Sequence, residues 1–222
     1  MVQPNRGAIS VSQSMRTTTS ELIELIIQSN QQDVGTSIPG HVTAFDPETQ
    51  LAQLQIGIRT SGGVQLPIII ECPVQFSGGG GFVVEHQLDP NDEGIIVFSQ
   101  RCIDSWIETG GVAEQPTPRM HSFNDAYFIP GIRSKPNVVT GFSNDGIKMR
   151  NEAGDKYLWL KASGDIEITA GSVSITGDLS ATGTIEAPTI DASASLKAAG
   201  AEVVGHTHGG VQSGTSNTGP LV

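Results

Sequence analysis

Hydrophobic positions change their spacing along the chain, and each change predicts a different kind of element. In residues 18–30, "TTSELIELIIQSN", Leu22, Ile23, Ile26 and Ile27 fall on one stripe at helical spacing, and Thr18 followed by Glu21 fits a capping box. A short helix is predicted there. So few turns are marginal alone, so the helix is expected to dock on a sheet or on a neighbouring chain. From His41 the period drops to two. The stretch "HVTAFDPETQLAQLQIGIRT" predicts a strand, a turn at Asp46-Pro47 and a returning strand on which Leu54, Ile56 and Ile58 alternate with polar residues. Further strands are predicted in "QLPIIIECPVQF", "GFVVEHQL" and "GIIVFSQRCIDSWIE", separated by Gly or Pro. Several short strands with almost no helix describe a small barrel or sandwich, of which a five-stranded OB-type barrel is favoured.

After "YFIPGIRSKPNVV" the pattern loosens, and Pro130, Gly131 and Pro136 suggest a domain boundary. "GIKMRNEAGDKYLWLKA" predicts a hairpin with Ile147 and Met149 on one face of its first strand and Leu158 and Leu160 on the next. The chain then repeats itself loosely as "DIEIT", "SVSIT", "DLSA", "TIEA", "TIDA", "SLKA" and "AEVV", with single aliphatics at Ile168, Ile175, Ile185, Ile190, Leu196 and Val203. Such units are far shorter than the solenoid turns of one chain, which run from about 20 residues upward. A single chain cannot enclose a core with them. Three identical chains can, if each short strand turns its aliphatic toward a common axis and the three wind into a triangular prism without free edges.

Composition sharpens this division. Every Phe, Tyr and Trp lies at or before Trp159, while residues 160–222 are dominated by small, aliphatic and acidic side chains. The formal net charge of −11 gives no basic footprint for phosphate, so no nucleic-acid partner is expected. No apolar run approaches a spanning helix and the first residues lack the apolar centre of a signal peptide, so a soluble chain made in a cytoplasm is expected. Cys72 and Cys102 are too few for a disulfide framework and are expected as free thiols.

Near the C-terminus, "AEVVGHTHGGVQSGTSNTGPLV" places His206 and His208 one residue apart, directly after the last aliphatic unit. In an extended segment two such side chains share a face. Solvent-exposed or hydrogen-bonded histidines are the ordinary explanation. With threefold symmetry, three copies of each would converge as six imidazole nitrogens around one point, an octahedral set suited to iron, nickel or zinc and not to calcium or magnesium. A closed shell of that kind would be structural, since a catalytic metal keeps an open position.

Taken in order, "DEGIIVFSQRCIDSWIETGG", "PTPRMHSFNDAYFIPGI", the small-residue repeat and "GHTHGGVQSGTSNTGP" resemble the central spike proteins of contractile-tailed bacteriophages, the baseplate assembly protein V class, over residues 35–222. The resemblance implies an all-β homotrimer: an N-terminal arm and short helix (1–34), an OB-fold domain (35–133) attached to the tail hub, a triple-stranded β-helix (134–203), and an apex (204–222) holding one iron ion per trimer through His206 and His208 of each chain. It implies a virion protein at the baseplate tip, meeting the host outer membrane with its apex.

No enzyme is expected. "SGGGGF" at Ser77–Phe82 lacks the Gly-Lys-Ser/Thr of a phosphate loop, and "DPNDEG" at Asp89–Gly94 has the wrong ligand spacing for a calcium loop. His41, His86 and His121 have no serine or cysteine partner identifiable from the sequence. The alternative is a trimeric fibre or adhesin that binds a cell-surface glycan through its OB barrel or its tip.

Overall fold

The computed structural model describes residues 18–203. It contains two compact units: one runs through Asn144 and includes Glu152–Gly154, and the other comprises Asp145–Asn151 and the chain from Asp155 onward.

Helix α1, Thr19–Asp33, begins at the capping box read from the sequence. The Glu21 N–H donates to Thr18 Oγ1 at 3.3 Å, and the Glu21 carboxylate accepts from the Thr18 N–H at 2.6 Å. These bonds satisfy donors that the first helical turn leaves without intrahelical partners.

The first unit is built on an antiparallel meander of β1 (Ser37–Asp46), β2 (Leu51–Ile56) and β3 (Ile69–Pro73). The β1–β2 turn is set by Asp46, whose carboxylate accepts from the Glu48 N–H at 3.0 Å and the Thr49 hydroxyl at 2.8 Å. A small hairpin, β4 (Ser77–Gly79) and β5 (Phe82–Val84), stands apart from the main sheet, and β6 (Glu93–Phe98) returns to pair with β1. Helix α2 (Asp104–Thr109) and β7 (Ala126–Pro130) follow. The sheet order is β3-β2-β1-β6-β7. Its ends approach through a parallel bridge between Val74 and Phe128 and a 2.8 Å bond from the Gln75 N–H to the Phe128 carbonyl, curling the sheet into a half-barrel. This order and these directions are consistent with the OB-type barrel predicted from the sequence.

Alternation sends Ala52, Leu54 and Ile56 from β2 and Ile96 and Phe98 from β6 into one core with Val42, Ile69, Cys72, Ala126 and Phe128. Ile58, expected to continue the β2 pattern, lies beyond the strand and is exposed. Gly40 and Gly94 are paired across β1 and β6. A Cβ on Gly94 would lie 2.5 Å from the Phe128 ring and from the Ile129 carbonyl oxygen, so this glycine is what lets the Phe128 ring lie against the sheet. Two expectations need correction. Strand β6 ends at Phe98, and "DSWIET" forms a helix instead of continuing the strand; of "GFVVEHQL" only Phe82–Val84 is a strand, in the separate hairpin.

In the second unit β8 (Ile147–Arg150), β9 (Tyr157–Leu160) and β10 (Ile166–Thr169) form an antiparallel sheet in the order β10-β9-β8. The predicted hairpin is present, with Ile147 opposite Leu160 and Met149 opposite Leu158. A two-stranded ribbon, β11 (Lys197–Ala198) and β12 (Ala201–Glu202), closes the described chain through a turn in which Ala199 and Gly200 have φ of 50° and 83°.

Candidate functional site: an exposed aliphatic surface

The β8–β10 sheet inverts the usual burial pattern. Ile147, Met149, Leu158, Leu160, Ile166 and Ile168 share one face, and all six are 39–69% exposed. The polar and aromatic residues of the opposite face are the half-buried ones. There the Lys148 ammonium sits 3.7 Å from the centre of the Tyr157 ring and 4.4 Å from that of Trp159. Lys161 lies over Trp159 at 4.9 Å and pairs with Glu167 at 2.5 Å, and the Tyr157 hydroxyl donates to the same carboxylate. Lys161, then Tyr157, hold the Glu167 carboxyl below the usual carboxylate range, while Glu167 raises Lys161. Cation–π contacts and ion pairs therefore knit one face together, while the other presents six aliphatic side chains to water.

The following segment carries the same feature further. From Gly171 to Ala194, among the described residues, no hydrogen bond is formed. Val173, Ile175, Leu179, Ile185 and Ile190 are 57–71% exposed there. Backbone amides and carbonyls are obligatory hydrogen-bonding groups, and in this exposed stretch the chain itself supplies them no partner, which leaves them to water or to another chain. Among the described residues, none after Phe128 is buried. The strand-like units "SVSIT", "DLSA", "TIEA" and "TIDA" contain no strand in the single chain, because a strand is defined by the neighbour it pairs with.

The terminal ribbon is better anchored. Glu202 accepts from the Ser195 hydroxyl at 2.6 Å and the Leu196 N–H at 3.1 Å, and the Val203 N–H donates to the Leu196 carbonyl at 2.7 Å. This ribbon immediately precedes the sequence-predicted metal ligands. His206 and His208 lie outside the described residues.

Elsewhere, Cys102, Asp104 and Asp125 bring three donor atoms within 4.8 Å of one another, a grouping that could hold a metal ion. The Arg119 guanidinium fills it. Its Nε and Nη2 each reach an Asp125 carboxylate oxygen at 2.9 Å, and Nη2 also lies 2.7 Å from Asp104 and 3.0 Å from Cys102 Sγ. Asp125, fully buried, further accepts from the Ile103 N–H at 3.0 Å. Arg119 foremost, and then that N–H, hold the Asp125 carboxyl below its usual range against the desolvation that would raise it. The cluster fastens the α2 region to the start of β7 and offers a cation no vacant position. The sequence reading missed it, since its members are scattered between positions 102 and 125 with no metal-ligand spacing.

The other histidines are not brought into one cluster. His121 Nδ1 lies 3.1 Å from the Gly35 carbonyl oxygen, His86 packs edge-on against Phe76 with ring centres 5.2 Å apart, and His41 is a β1 residue opposite Gln55. Phe45, Phe76, Val83, Glu85 and His86 line an open cleft of about 520 Å³ beside the barrel. Asp89–Asp92 is a polar turn, leading into β6, in which the Asp92 carboxylate accepts from the Asp89 N–H at 2.8 Å. Cys72 and Cys102 are free and buried, and burial pushes the Cys72 thiol up to about 12.

Comparison with curated proteins gives no match to this chain. Residues 38–131, the stretch that holds the half-barrel, match the family model described as the N-terminal domain of phage protein Gp138, which supports a bacteriophage protein with a structural role in the virion.

Proposed function

We propose that the chain is the central spike of a contractile phage tail, a homotrimer that pierces the host outer envelope under the force of sheath contraction. The observation that carries this reading is the uncovered aliphatic series from Ile147 to Val203, joined to a backbone that forms no hydrogen bond of its own between Gly171 and Ala194. Three chains wound about one axis would cover the first and pair the second. The match of residues 38–131 to a phage-protein domain supports the same setting.

In this reading the OB-type barrel attaches to the tail hub and baseplate, and the second unit forms the triple-stranded β-helix. His206 and His208 of each chain hold one iron ion at the apex; neutral imidazole is a suitable donor for iron. When bound, the ion cross-links three chain ends whose sequence is poor in bulky apolar residues. The protein works by transmitting force: the interchain ladder resists bending and the cross-linked tip resists splaying, with no bond of the target cleaved. A net charge of −11 per chain keeps the assembly soluble.

The second reading, a glycan-binding fibre, draws on the barrel cleft at Phe45 and Phe76. Those rings are tilted against each other with centres 6.2 Å apart, and His86 packs edge-on against Phe76. Both rings are half-buried, Phe45 against the barrel core, which favours the spike over the fibre. Elemental analysis of the purified protein tests the proposal, with one iron per three chains expected and its loss on replacing His206 and His208 by alanine. Full metal content in that double variant would remove the apex assignment, and specific glycan binding at receptor-grade affinity would favour the fibre.

A further inference from the structure

Helix α1 leaves an apolar stripe exposed. Leu22, Ile23, Leu25, Ile26 and Ile27 are each 50–56% exposed, and every α1 side chain described is exposed. At about 100° per residue, Leu22 and Ile26 lie at the centre of the stripe, with Ile23 and Leu25 roughly 80° to either side. Glu21, Glu24 and Gln28 occupy the opposite side. A two-helix seam needs only the narrow central stripe, whereas a helix touching two neighbours buries its flanks as well.

The exposed area argues for copies of this chain as the occupant. The four half-exposed aliphatics of this face, Leu22, Ile23, Leu25 and Ile26, offer at most roughly 400 Å². A stable interface between separate proteins takes about 800 Å² from each partner. Copies already held together elsewhere need far less, because the tether supplies an effective concentration on the order of millimolar.

We propose that the α1 helices of three copies pack on one another through Leu22 and Ile26, with Ile23 and Leu25 closing the flanks, as a second trimer contact separate from the β-helix. This rests on the trimer proposed above. Only Val34–Thr36 separate α1 from β1, so the helix cluster also restrains the three barrels relative to one another. Glu21 and Glu24, facing away from the cluster, keep their like charges apart and in water.

The test is a pulsed electron-spin distance measurement on the full chain carrying Gln28→Cys with a nitroxide label, the natural cysteines being buried. Sedimentation of the same sample reports its mass. The expected result is a threefold mass with a narrow label–label distance of roughly 20–30 Å, set by adjoining helices about 10–12 Å across. Adding Leu22→Asp and Ile26→Asp is expected to broaden that distribution while the mass stays threefold. A threefold mass with labels far apart or broadly spread assigns the stripe to the chain's own barrel or to another baseplate protein, and overturns the inference while leaving the trimer standing. A narrow distribution that survives the double aspartate variant overturns it as well. A single-chain mass overturns both.

Discussion

Ile185 tests the assembly surface at its least supported point, the middle of the stretch without hydrogen bonds. It is 62% exposed in the single chain. Burying an isoleucine completely is worth about 1.5–3 kcal/mol, so the share that only neighbouring chains can supply is about 1–2 kcal/mol per copy, or about 3–6 kcal/mol when three copies meet at one level. Ile185→Ala forfeits most of this, and Ile185→Asp adds three like charges to an apolar interior, where unpaired charge is not tolerated. The neighbour Glu186 is also exposed and would point the other way in the proposed β-helix, so Glu186→Ala is the control. Guanidinium unfolding at fixed protein concentration, followed with sedimentation, should rank the variants as Glu186→Ala equal to the parent, Ile185→Ala clearly lower, and Ile185→Asp failing to assemble its distal unit. An Ile185→Asp protein with parental mass and unfolding midpoint would refute the reasoning, because a side chain turned toward an apolar axis cannot be replaced by a carboxylate at no cost.

Three further outcomes concern the barrel. Arg119→Met leaves the buried Asp125 carboxylate with the Ile103 N–H and the Cys102 thiol and no countercharge, which should cost about 3 kcal/mol or more in thermal unfolding. Because Asp125 has a lowered folded-state pKa, its contribution is present above the ordinary aspartate value of about 4 and is lost as pH falls through the folded value; the parent should lose this stability in acid and the Arg119→Met protein should show a flatter acid limb. Gly94→Ala places a Cβ 2.5 Å from the Phe128 ring and from the Ile129 carbonyl oxygen, and should lower barrel stability by about 1–3 kcal/mol through overpacking. The Cys72 thiol, pushed up to about 12, should resist a colourimetric thiol reagent at pH 8 until the barrel is unfolded; rapid modification in the native protein would contradict its burial.

What could be read from the sequence was whatever is local or periodic. The Thr18–Glu21 capping box, the alternation that buries Leu54 and Ile56, the turn at Asp46-Pro47 and the pairing of Ile147 and Met149 with Leu160 and Leu158 each follow from residues close together in the chain. Helix α2 was missed because its six residues, "DSWIET", carry an isoleucine and a tryptophan that suit a strand and no capping side chain marks its start. The contact that curls the sheet, Val74 with Phe128, joins positions 54 residues apart and leaves no local trace. The Arg119 clamp is hidden for a similar reason: its partners Cys102, Asp104 and Asp125 converge only when α2 and β7 are in place. The aliphatic repeat was visible as a pattern, and its meaning came from an argument about volume: single side chains spaced along a thin chain have nothing of their own to pack against.

Sedimentation equilibrium on the purified full chain, across a range of protein concentrations, bears most directly on the account. It predicts a single species of three times the 23.3 kDa chain mass, and a well-folded species of one chain mass would contradict it.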